Sequence, residues 1–467
     1  MHVSVPTNRE DDMAFLDDDY LLTNDTASRL YERVRDLPII DAHNHADVAA
    51  LAADRPFPDI WEAEAATDHY VWEMLRKRGV AEKYITGDAP NEEKWLAMAD
   101  VFDELAGNPT FEWVHLDLRR QLGIDDLVCA ANARKIWETA GAVFARDDMR
   151  PQALLKRMQV ERMCTTDDPV DTLEHHRALE NSSIAGMVRP TFRPDKAMNI
   201  FKPGWRAYIG QLEEVVNTSF QHISDLIAAL RDRHDFFAQN GCVASDHGVE
   251  TPFGFNVEEK DADAIFRKAY AGKELDRNET VAYMSYLLQQ VAEMDTEKDW
   301  VFQLHIGAVR DVRDSLYRDL GPDSGGDVSD HATDILTPLR DFLNRFDDRL
   351  KIVFYTLSPV HESTVATLCR AFGSKVNMGS AWWLNDSPIG MKRQLEYMGT
   401  VDVLMNFAGM VSDSRKLLSY GSRNEMFRRV LCDVLGNMTE AGQIPVTLAE
   451  RTAEYLSYRR AKELFNL

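Results

Sequence analysis

Length, composition and charge set the first limits on what this chain does. It has 467 residues, 45% of them hydrophobic, and a formal net charge of −24 at pH 7. A chain of this size buries a large core and exceeds the usual size of one compact domain. The excess of carboxylates disfavours a nucleic acid or an anionic membrane surface as a partner.

The cysteines and the N-terminus indicate a cellular compartment. The five cysteines are dispersed and form no Cys-x-x-Cys pair, and no apolar run approaches the roughly 18 residues of a membrane span. The first residues are polar and acidic, without the apolar stretch of a secretion signal. We therefore predict a cytoplasmic protein with a disordered leader over residues 1–14.

Short apolar runs alternate with longer stretches of helical periodicity, which is typical of parallel β/α units. Eight of these runs are predicted as strands: 38–41, 160–166, 184–192, 241–246, 300–306, 350–357, 375–382 and 404–411. Eight strands with helical crossovers are what a (β/α)8 barrel of the TIM type needs, and such a barrel carries its chemistry at the carboxyl ends of its strands. The sequence therefore predicts an α/β fold with this barrel.

One stretch interrupts the alternation after the first strand. Residues 57–158 are rich in Trp, Leu, Ala, Glu and Arg, with helical spacing and hardly any β-branched run. We predict a helical insertion subdomain here. The start of the barrel with strand one then occupies residues 15–56, and the remainder of the barrel occupies residues 159–467.

The end of the first strand carries a candidate metal site. Strands project alternate side chains to the same face, so His43 and His45 point together toward the barrel mouth. Two neutral imidazoles on one face form a site for a divalent metal ion. An isolated His-x-His pattern is more often structural, but its place after an apolar run and an aspartate favours the metal site.

The last predicted strand ends in a carboxylate, Asp413. Strand eight lies beside strand one in a closed barrel, so Asp413 is predicted to complete the ligand set or to act as a base. The structural alternative is an N-cap of the following helix.

Two further strand ends carry titratable side chains. His305 ends the fifth strand as a third inward-pointing imidazole, with a buried structural histidine as the alternative. At the end of the fourth strand, either Asp246 or His247 faces the mouth, and alternation does not say which.

Two arginines on strand ends indicate an anionic substrate. Arg193 follows the third strand and Arg415 follows the eighth. Arginine binds carboxylates in a bidentate manner, so together they favour a substrate carboxylate over two unrelated surface salt bridges. Within the insertion, Tyr70 beside His69 is a candidate for proton transfer, although composition alone indicates core packing.

Taken together, these segments resemble the uronate isomerase family of the amidohydrolase superfamily, from about residue 15 to the C-terminus. The resemblance is carried by many motifs in the same order: 15–22, the His43/His45 pair, 68–70, 85–88, 115–120, 164–169, 190–195, 304–308, 320–325, 382–386 and 413–415. The sequence departs from the family pattern at Ala42, Asn44, Ala381 and Leu384. The last two put substrate preference in doubt more than chemistry.

The resemblance implies a reversible aldose–ketose isomerisation, D-glucuronate to D-fructuronate and D-galacturonate to D-tagaturonate, by proton transfer through an enediol. It implies one divalent ion, zinc or alternatively manganese, iron or cobalt, held by His43, His45 and Asp413. It also implies a small sugar acid as substrate and self-association into a homo-oligomer.

The same resemblance assigns roles to the remaining candidates. Proton transfer falls to Tyr70 with His69, and to Asp413 if it exchanges the roles of ligand and base. His305 is implied as a further catalytic residue that orients substrate hydroxyls, and substrate contacts are implied for Arg193, Arg415, Asp246 and Trp382.

Two other functions remain open from the sequence. A metal-dependent amidohydrolase or lactonase acting on an anionic substrate would use the same residues around its metal. A sugar-acid binding protein on a decayed barrel is the non-catalytic alternative, although decay would have removed some of these residues.

Overall fold

The computed structural model describes residues 15–467, and the leader predicted for residues 1–14 lies outside them. Nine strands are formed: β1 (Ile39–Asp41), β2 (Val160–Cys164), β3 (Val188–Arg189), β4 (Ala244–Val249), β5 (Val301–Ile306), β6 (Ala308–Val309), β7 (Val328–Ser329), β8 (Lys351–Thr356) and β9 (Val376–Met378). One parallel sheet has the order β1-β2-β3 and another the order β4-β5-β8-β9, while β6 and β7 form an antiparallel pair.

Backbone hydrogen bonds join the two parallel sheets around a common interior. Phe192, which follows β3, donates its N–H to Ala244 O at 3.2 Å and accepts from Asp246 N–H at 3.0 Å. On the other side, Ala408 N–H donates to Met378 O of β9 at 2.9 Å, and Asp413 N–H donates to His43 O at 3.2 Å. The extended segment 407–414 therefore occupies the place of an eighth strand between β9 and β1.

This eighth position differs from the prediction, because no regular strand forms over 404–411. Leu404–Asn406 is a 3₁₀ turn, and Gly409 has φ +106°, a backbone conformation outside the β region. A Cβ on Gly409 would lie 2.8 Å from the Cβ of Ala461, so glycine permits a close approach to the C-terminal helix. Each of the other seven predicted strands is confirmed by a strand that overlaps its range.

The chain between β1 and β2 is helical, as expected for the insertion. Its α-helices are α2 (Val48–Ala53), α3 (Ile60–Glu64), α4 (His69–Lys77), α5 (Asn91–Phe102), α6 (Pro109–Asp117), α7 (Ala133–Phe144) and α8 (Pro151–Arg157). They pack with β1 and β2 around a hydrophobic core of their own, which includes Trp61, Trp95 and Phe144. The division of the chain into four parts stays a prediction.

The remaining helices connect and surround the strands. They are α1 (Asp25–Val34), α9 (Glu174–Leu179), α10 (Asp195–Met198), α11 (Trp205–Val216), α12 (Ile223–Gln239), α13 (Glu259–Tyr270), α14 (Arg277–Lys298), α15 (Asp314–Leu320), α16 (Leu336–Arg345), α17 (Glu362–Phe372), α18 (Pro388–Val401), α19 (Ser419–Glu440), α20 (Val446–Glu454) and α21 (Arg460–Phe465). Over residues 15–467, none of the helices is both long and apolar enough to cross a membrane.

A small hydrophobic cluster fills the space between the strands below the candidate site. It brings Ala42 after β1, Val301 of β5, Tyr355 of β8 and Trp382 after β9 into one group. Because these residues come from separate strands, the cluster ties the strand ends together and supports the polar side chains above it.

Candidate active site

The predicted metal ligands meet at the end of β1. Oδ1 of Asp413 lies 3.0 Å from Nε2 of His43 and 3.2 Å from Nε2 of His45. Asp413 has φ +48°, a left-handed conformation that aspartate adopts more readily than most residues. The alternative role as a helix cap is excluded, because the next helix, α19, begins only at Ser419.

The charges of this trio suit a divalent cation. Burial acts to raise the pKa of Asp413, but the hydrogen bonds with His43 and His45 outweigh it and hold that pKa well below its usual range. Burial lowers the pKa of His45, so a neutral imidazole and a carboxylate face each other. The three ligand atoms lie within 4.8 Å of one another, and two imidazoles with one carboxylate form a frequent zinc-binding set.

A second group shares His43 but suits a cation less well. Asp246 Oδ2 lies 3.7 Å from Nδ1 of His43, and Asp246 Oδ1 lies 2.6 Å from Nδ1 of His305. Arg193 already brings a positive charge here, because its Nη1 lies 3.0 Å from Asp246 Oδ2. Asp246, and not His247, is therefore the residue of β4 that faces the site; His247 Nε2 instead contacts Ser245 Oγ at 3.0 Å.

The hydrogen bond to Asp246 fixes the tautomer of His305. Burial acts to raise the pKa of Asp246, but Arg193 and His305 hold it well below its usual range, so this carboxylate only accepts hydrogen bonds. His305 must then carry its proton on Nδ1 and present a free lone pair at Nε2, which is buried without a partner among residues 15–467. Burial lowers the pKa of His305 to about 4, so the ring is neutral near pH 7.

The two candidate arginines differ in whether their guanidinium groups are already paired with carboxylates of the protein. Nε of Arg193 donates to Asp195 Oδ2 at 2.8 Å, in addition to the contact with Asp246. Arg415 is exposed and makes no hydrogen bond or ion pair with any part of the chain that the structure describes. Its guanidinium therefore remains available to an anion.

The insertion contributes His69 and Tyr70 from the first turn of α4. Asp68 caps this helix by accepting from Tyr70 N–H at 2.9 Å. Burial, with help from Arg415, lowers the pKa of His69 to about 4, and Nε2 of His69 is buried without a hydrogen-bond partner in the part of the chain that the structure describes. The Tyr70 hydroxyl is not free, because it donates to Asp386 Oδ1 at 2.5 Å.

The loop after β9 forms a wall of the site. The ring of Trp382 lies 4.7 Å from that of His305, and the ring of Trp383 lies 6.4 Å from that of His69. Trp382 Nε1 is buried without an acceptor within the described part of the chain. A buried indole N–H in this state is a donor available to a bound molecule.

Several charged residues near the site were missed by sequence reasoning. Lys416 is buried with its Nζ 2.9 Å from Glu64 Oε2, 3.1 Å from Asp117 Oδ2 and 3.5 Å from Asp68 Oδ2. This cluster fixes the segment after Asp413 to the insertion. The only signal in the sequence was the position of Lys416 directly after Arg415.

Imidazoles and carboxylates lie together at the carboxyl ends of parallel strands. This arrangement defines an α/β enzyme with the fold of the metal-dependent hydrolases. A putative metal-dependent hydrolase from Lactobacillus casei shares that fold with a TM-score of 0.57 at 16% identity, over 94% of this chain and 97% of the other. The chain belongs to the glucuronate isomerase family, whose model matches residues 13–465.

Relatives of this family cover nearly the whole chain. The uronate isomerase of Thermotoga petrophila is 50% identical over 451 residues, which are 97% of this chain and 99% of the relative. The crystal structure of the uronate isomerase of Thermotoga maritima matches with a TM-score of 0.95 at 49% identity, over 97% of this chain and 99% of the other. The chain is therefore an isomerase, and the hydrolase alternative is not favoured.

Proposed function

We propose that this enzyme interconverts D-glucuronate with D-fructuronate and D-galacturonate with D-tagaturonate. The observation that carries the proposal is the group of His43, His45 and Asp413, whose ligand atoms lie within 4.8 Å of one another, together with Arg415, which is unpaired in the described chain and lies two residues beyond Asp413. A metal site beside a free guanidinium suits a substrate that has both a carbonyl group and a carboxylate.

We assign the metal ion to His43, His45 and Asp413, with zinc as the preferred element. When bound, a divalent ion polarises the sugar's carbonyl and hydroxyl oxygens and stabilises the negative charge that develops as a proton leaves carbon. Manganese, iron and cobalt accept the same ligands, so elemental analysis of the purified protein decides among them.

Arg415 is the proposed partner of the substrate carboxylate, since its guanidinium makes no hydrogen bond or ion pair in the described chain. Arg193 has a supporting role, because Asp195 and Asp246 share its charge and hold it in place. From that position it orients Asp246, and through Asp246 it orients His305.

Two groups are suited to orient the sugar hydroxyls. His305 Nε2 is an acceptor and Trp382 Nε1 is a donor, and both are buried without partners in the described chain. Their rings are 4.7 Å apart, so one sugar can contact both. This complementary pair sets the position of the carbon chain relative to Asp413.

Proton transfer is assigned to His69, Tyr70 and Asp413. His69 has a pKa of about 4 and is neutral near pH 7, so it can accept a proton from a hydroxyl group. Asp413 contacts both imidazoles through Oδ1, which leaves Oδ2 to act on the substrate. The contacts of Tyr70 are the subject of the next subsection.

We further propose that the enzyme works in the cytoplasm as a homo-oligomer. All five cysteines are free and four are buried, in keeping with a reducing compartment. Several large apolar side chains are exposed, among them Phe201 and Val312. Sedimentation equilibrium of the purified protein tests the oligomer, since a single species of 53.2 kDa would contradict it.

The proposed reaction is tested by proton NMR with glucuronate in heavy water, because only an isomerase exchanges deuterium into C2 of the sugar. His43→Ala and Asp413→Asn should lose both bound metal and this exchange. His175→Ala, at a half-exposed histidine whose single ion pair within residues 15–467 is with Glu174, is the matched control and should retain both. Full activity of both site variants, or a wild-type enzyme that does not exchange C2, would contradict the proposal.

A further inference from the structure

The hydroxyl of Tyr70 has its proton and one lone pair already engaged. It donates to Asp386 Oδ1 at 2.5 Å and accepts from Leu384 N–H at 2.7 Å. A neutral phenol has one proton to donate, so this proton points away from any substrate and toward Asp386. Tyr70 therefore presents only its remaining lone pair, and it meets a substrate as an acceptor.

Asp386 is a buried carboxylate with one counter-ion. Its Oδ2 lies 2.5 Å from Nη1 of Arg423, and the side chains of the pair are 5% and 4% exposed. The guanidinium lies 4.0 Å above the ring of Trp113, which shields it further. The pair is thus held at a fixed place behind Tyr70, on the side away from solvent.

Backbone strain supports this arrangement. Leu384 has φ +64°, a conformation that a branched side chain rarely adopts. Its side chain is 43% exposed, so burial of leucine does not explain the strain. The conformation instead directs the Leu384 N–H toward the Tyr70 oxygen. This hydrogen bond fixes the orientation of the hydroxyl.

The acid–base properties of the two groups are unequal. Burial, together with Asp386, raises the pKa of Tyr70 well above its usual range, so a free phenolate is not populated near pH 7. Burial also raises the pKa of Asp386, against the opposing effect of Arg423. The carboxylate of Asp386 therefore binds a proton more readily than the carboxylate of an ordinary aspartate does.

We propose that Asp386 is a positioning residue that acts through Tyr70 as the terminal acceptor of a two-step proton relay; this rests on the proposed isomerase reaction. A proton leaving the substrate forms a new O–H bond at Tyr70 Oη while the original hydroxyl proton passes to Oδ1 of Asp386. Tyr70 stays neutral throughout, and the negative charge of the carboxylate is transferred to the substrate. The reverse sequence returns the proton to the neighbouring atom of the enediol.

A double-mutant cycle on Tyr70 and Asp386 tests the relay. Asp386→Asn retains an oxygen that accepts the Tyr70 hydrogen bond but cannot take up its proton. We expect kcat for uronate turnover to fall by about 100- to 10,000-fold with KM changed by less than about threefold. In a Tyr70→Phe background, Asp386→Asn should change kcat by less than about threefold, because the relay is already broken.

Two further variants separate the relay from loss of structure. Asp386→Asn/Arg423→Gln removes both charges of the buried pair, so it leaves no unpaired guanidinium, and it should show the same loss of kcat. Glu362→Gln is the matched control, because Glu362 accepts from Asn385 Nδ2 at 2.7 Å on the same loop without contacting Tyr70. It should retain wild-type kcat, and all variants should retain bound metal.

The outcomes distinguish this inference from the proposed function. If the wild-type enzyme turns over uronates and Asp386→Asn keeps its kcat within about fivefold, the relay is refuted while the function stands. Equal losses of kcat from Asp386→Asn with and without the Tyr70 hydroxyl also refute it, because Asp386 would then act independently. A wild-type enzyme without isomerase activity refutes the function itself.

Discussion

The carboxylate of Asp41 accepts hydrogen bonds from both the backbone N–H and the hydroxyl of Ser412, at 2.9 Å and 2.5 Å. Asp41 ends β1, two residues before His43, and Ser412 directly precedes Asp413. The pair therefore fastens the end of β1, which leads into the two proposed imidazole ligands, to the segment that carries the proposed carboxylate ligand.

Ser412→Ala removes a single oxygen atom, but it should lower both the stability of the protein and its affinity for the metal. Loss of one hydrogen bond to a buried carboxylate costs about 1–3 kcal/mol, and loss of support behind metal ligands typically lowers affinity about 10- to 100-fold. Competition with a chelator measures the metal affinity, and denaturant titration measures stability. Ser422→Ala is the control, because the Ser422 hydroxyl is buried without a partner in the described chain; equal effects of the two variants would contradict this prediction.

The stability of the cluster around Lys416 should depend strongly on the Lys416 cation and little on whether residue 64 can ionise. Burial, only partly opposed by Lys416, raises the pKa of Glu64 well above its usual range, so the neutral form of Glu64 is favoured over that of an ordinary glutamate. Glu64→Gln copies this neutral state and should change stability little. Lys416→Met leaves Asp117 buried without a cation and should cost about 3–5 kcal/mol.

Denaturant unfolding of the two variants measures this contrast. A Glu64→Gln variant as unstable as Lys416→Met would mean that Glu64 is ionised in the folded protein. Because Asp68 of the same cluster caps α4, Lys416→Met should also lower kcat by displacing Tyr70.

Arg415→Met should impair catalysis without affecting stability. Its guanidinium is exposed and unpaired in the described chain, so folding does not depend on it. Loss of one charge-assisted contact to the substrate carboxylate should lower kcat/KM by about 10- to 100-fold. Arg340→Met, at another exposed arginine on α16, should leave both kcat/KM and the melting temperature unchanged; an unchanged kcat/KM in Arg415→Met would remove this residue from the site.

His115, on α6, gives a prediction about the pH dependence of stability. Its Nδ1 contacts Phe111 O at 2.7 Å, and its Nε2 accepts from Val128 N–H at 2.9 Å. Burial lowers its pKa from 6.5 to about 4. Between these pH values the unfolded chain binds a proton that the folded protein does not, so stability falls as pH drops from 6.5 to 4 and rises in the opposite direction.

His115→Gln isolates this contribution from that of other titrating groups. Over the same pH range the wild type should lose about 3 kcal/mol more unfolding free energy than the variant. Denaturant titrations at pH 7 and pH 4 measure the difference. Equal losses would show that the folded protein protonates His115 as readily as the unfolded chain does.

The sequence predicted those parts of the molecule that depend on local spacing. The two-residue spacing of His43 and His45 after an apolar run places both on one face, and the structure places Asp413 beside them. The irregular segment at 407–414 could not be predicted, because the positive φ of Gly409 has no counterpart in hydrophobic periodicity. The choice between Asp246 and His247 likewise required the register of β4.

The buried ion pairs around the site could not be predicted from the sequence, for a different reason. Lys416 and Glu64 are 352 positions apart, and Arg423 and Asp386 are 37 apart. A lysine or arginine in a sequence is usually exposed, and only the packing of helices onto strands reveals which ones are buried and paired. Tertiary contacts, not residue types, therefore identify this part of the site.

His43 and Asp413 are separated by 370 positions in the chain. Such a contact requires closure of a very long loop, and folding is slower in proteins rich in contacts of high sequence separation. During synthesis the ribosome releases the histidine pair long before their carboxylate partner exists. The proposed metal centre therefore requires the chain to extend through residue 413, and a chain truncated before that residue lacks the carboxylate of the centre.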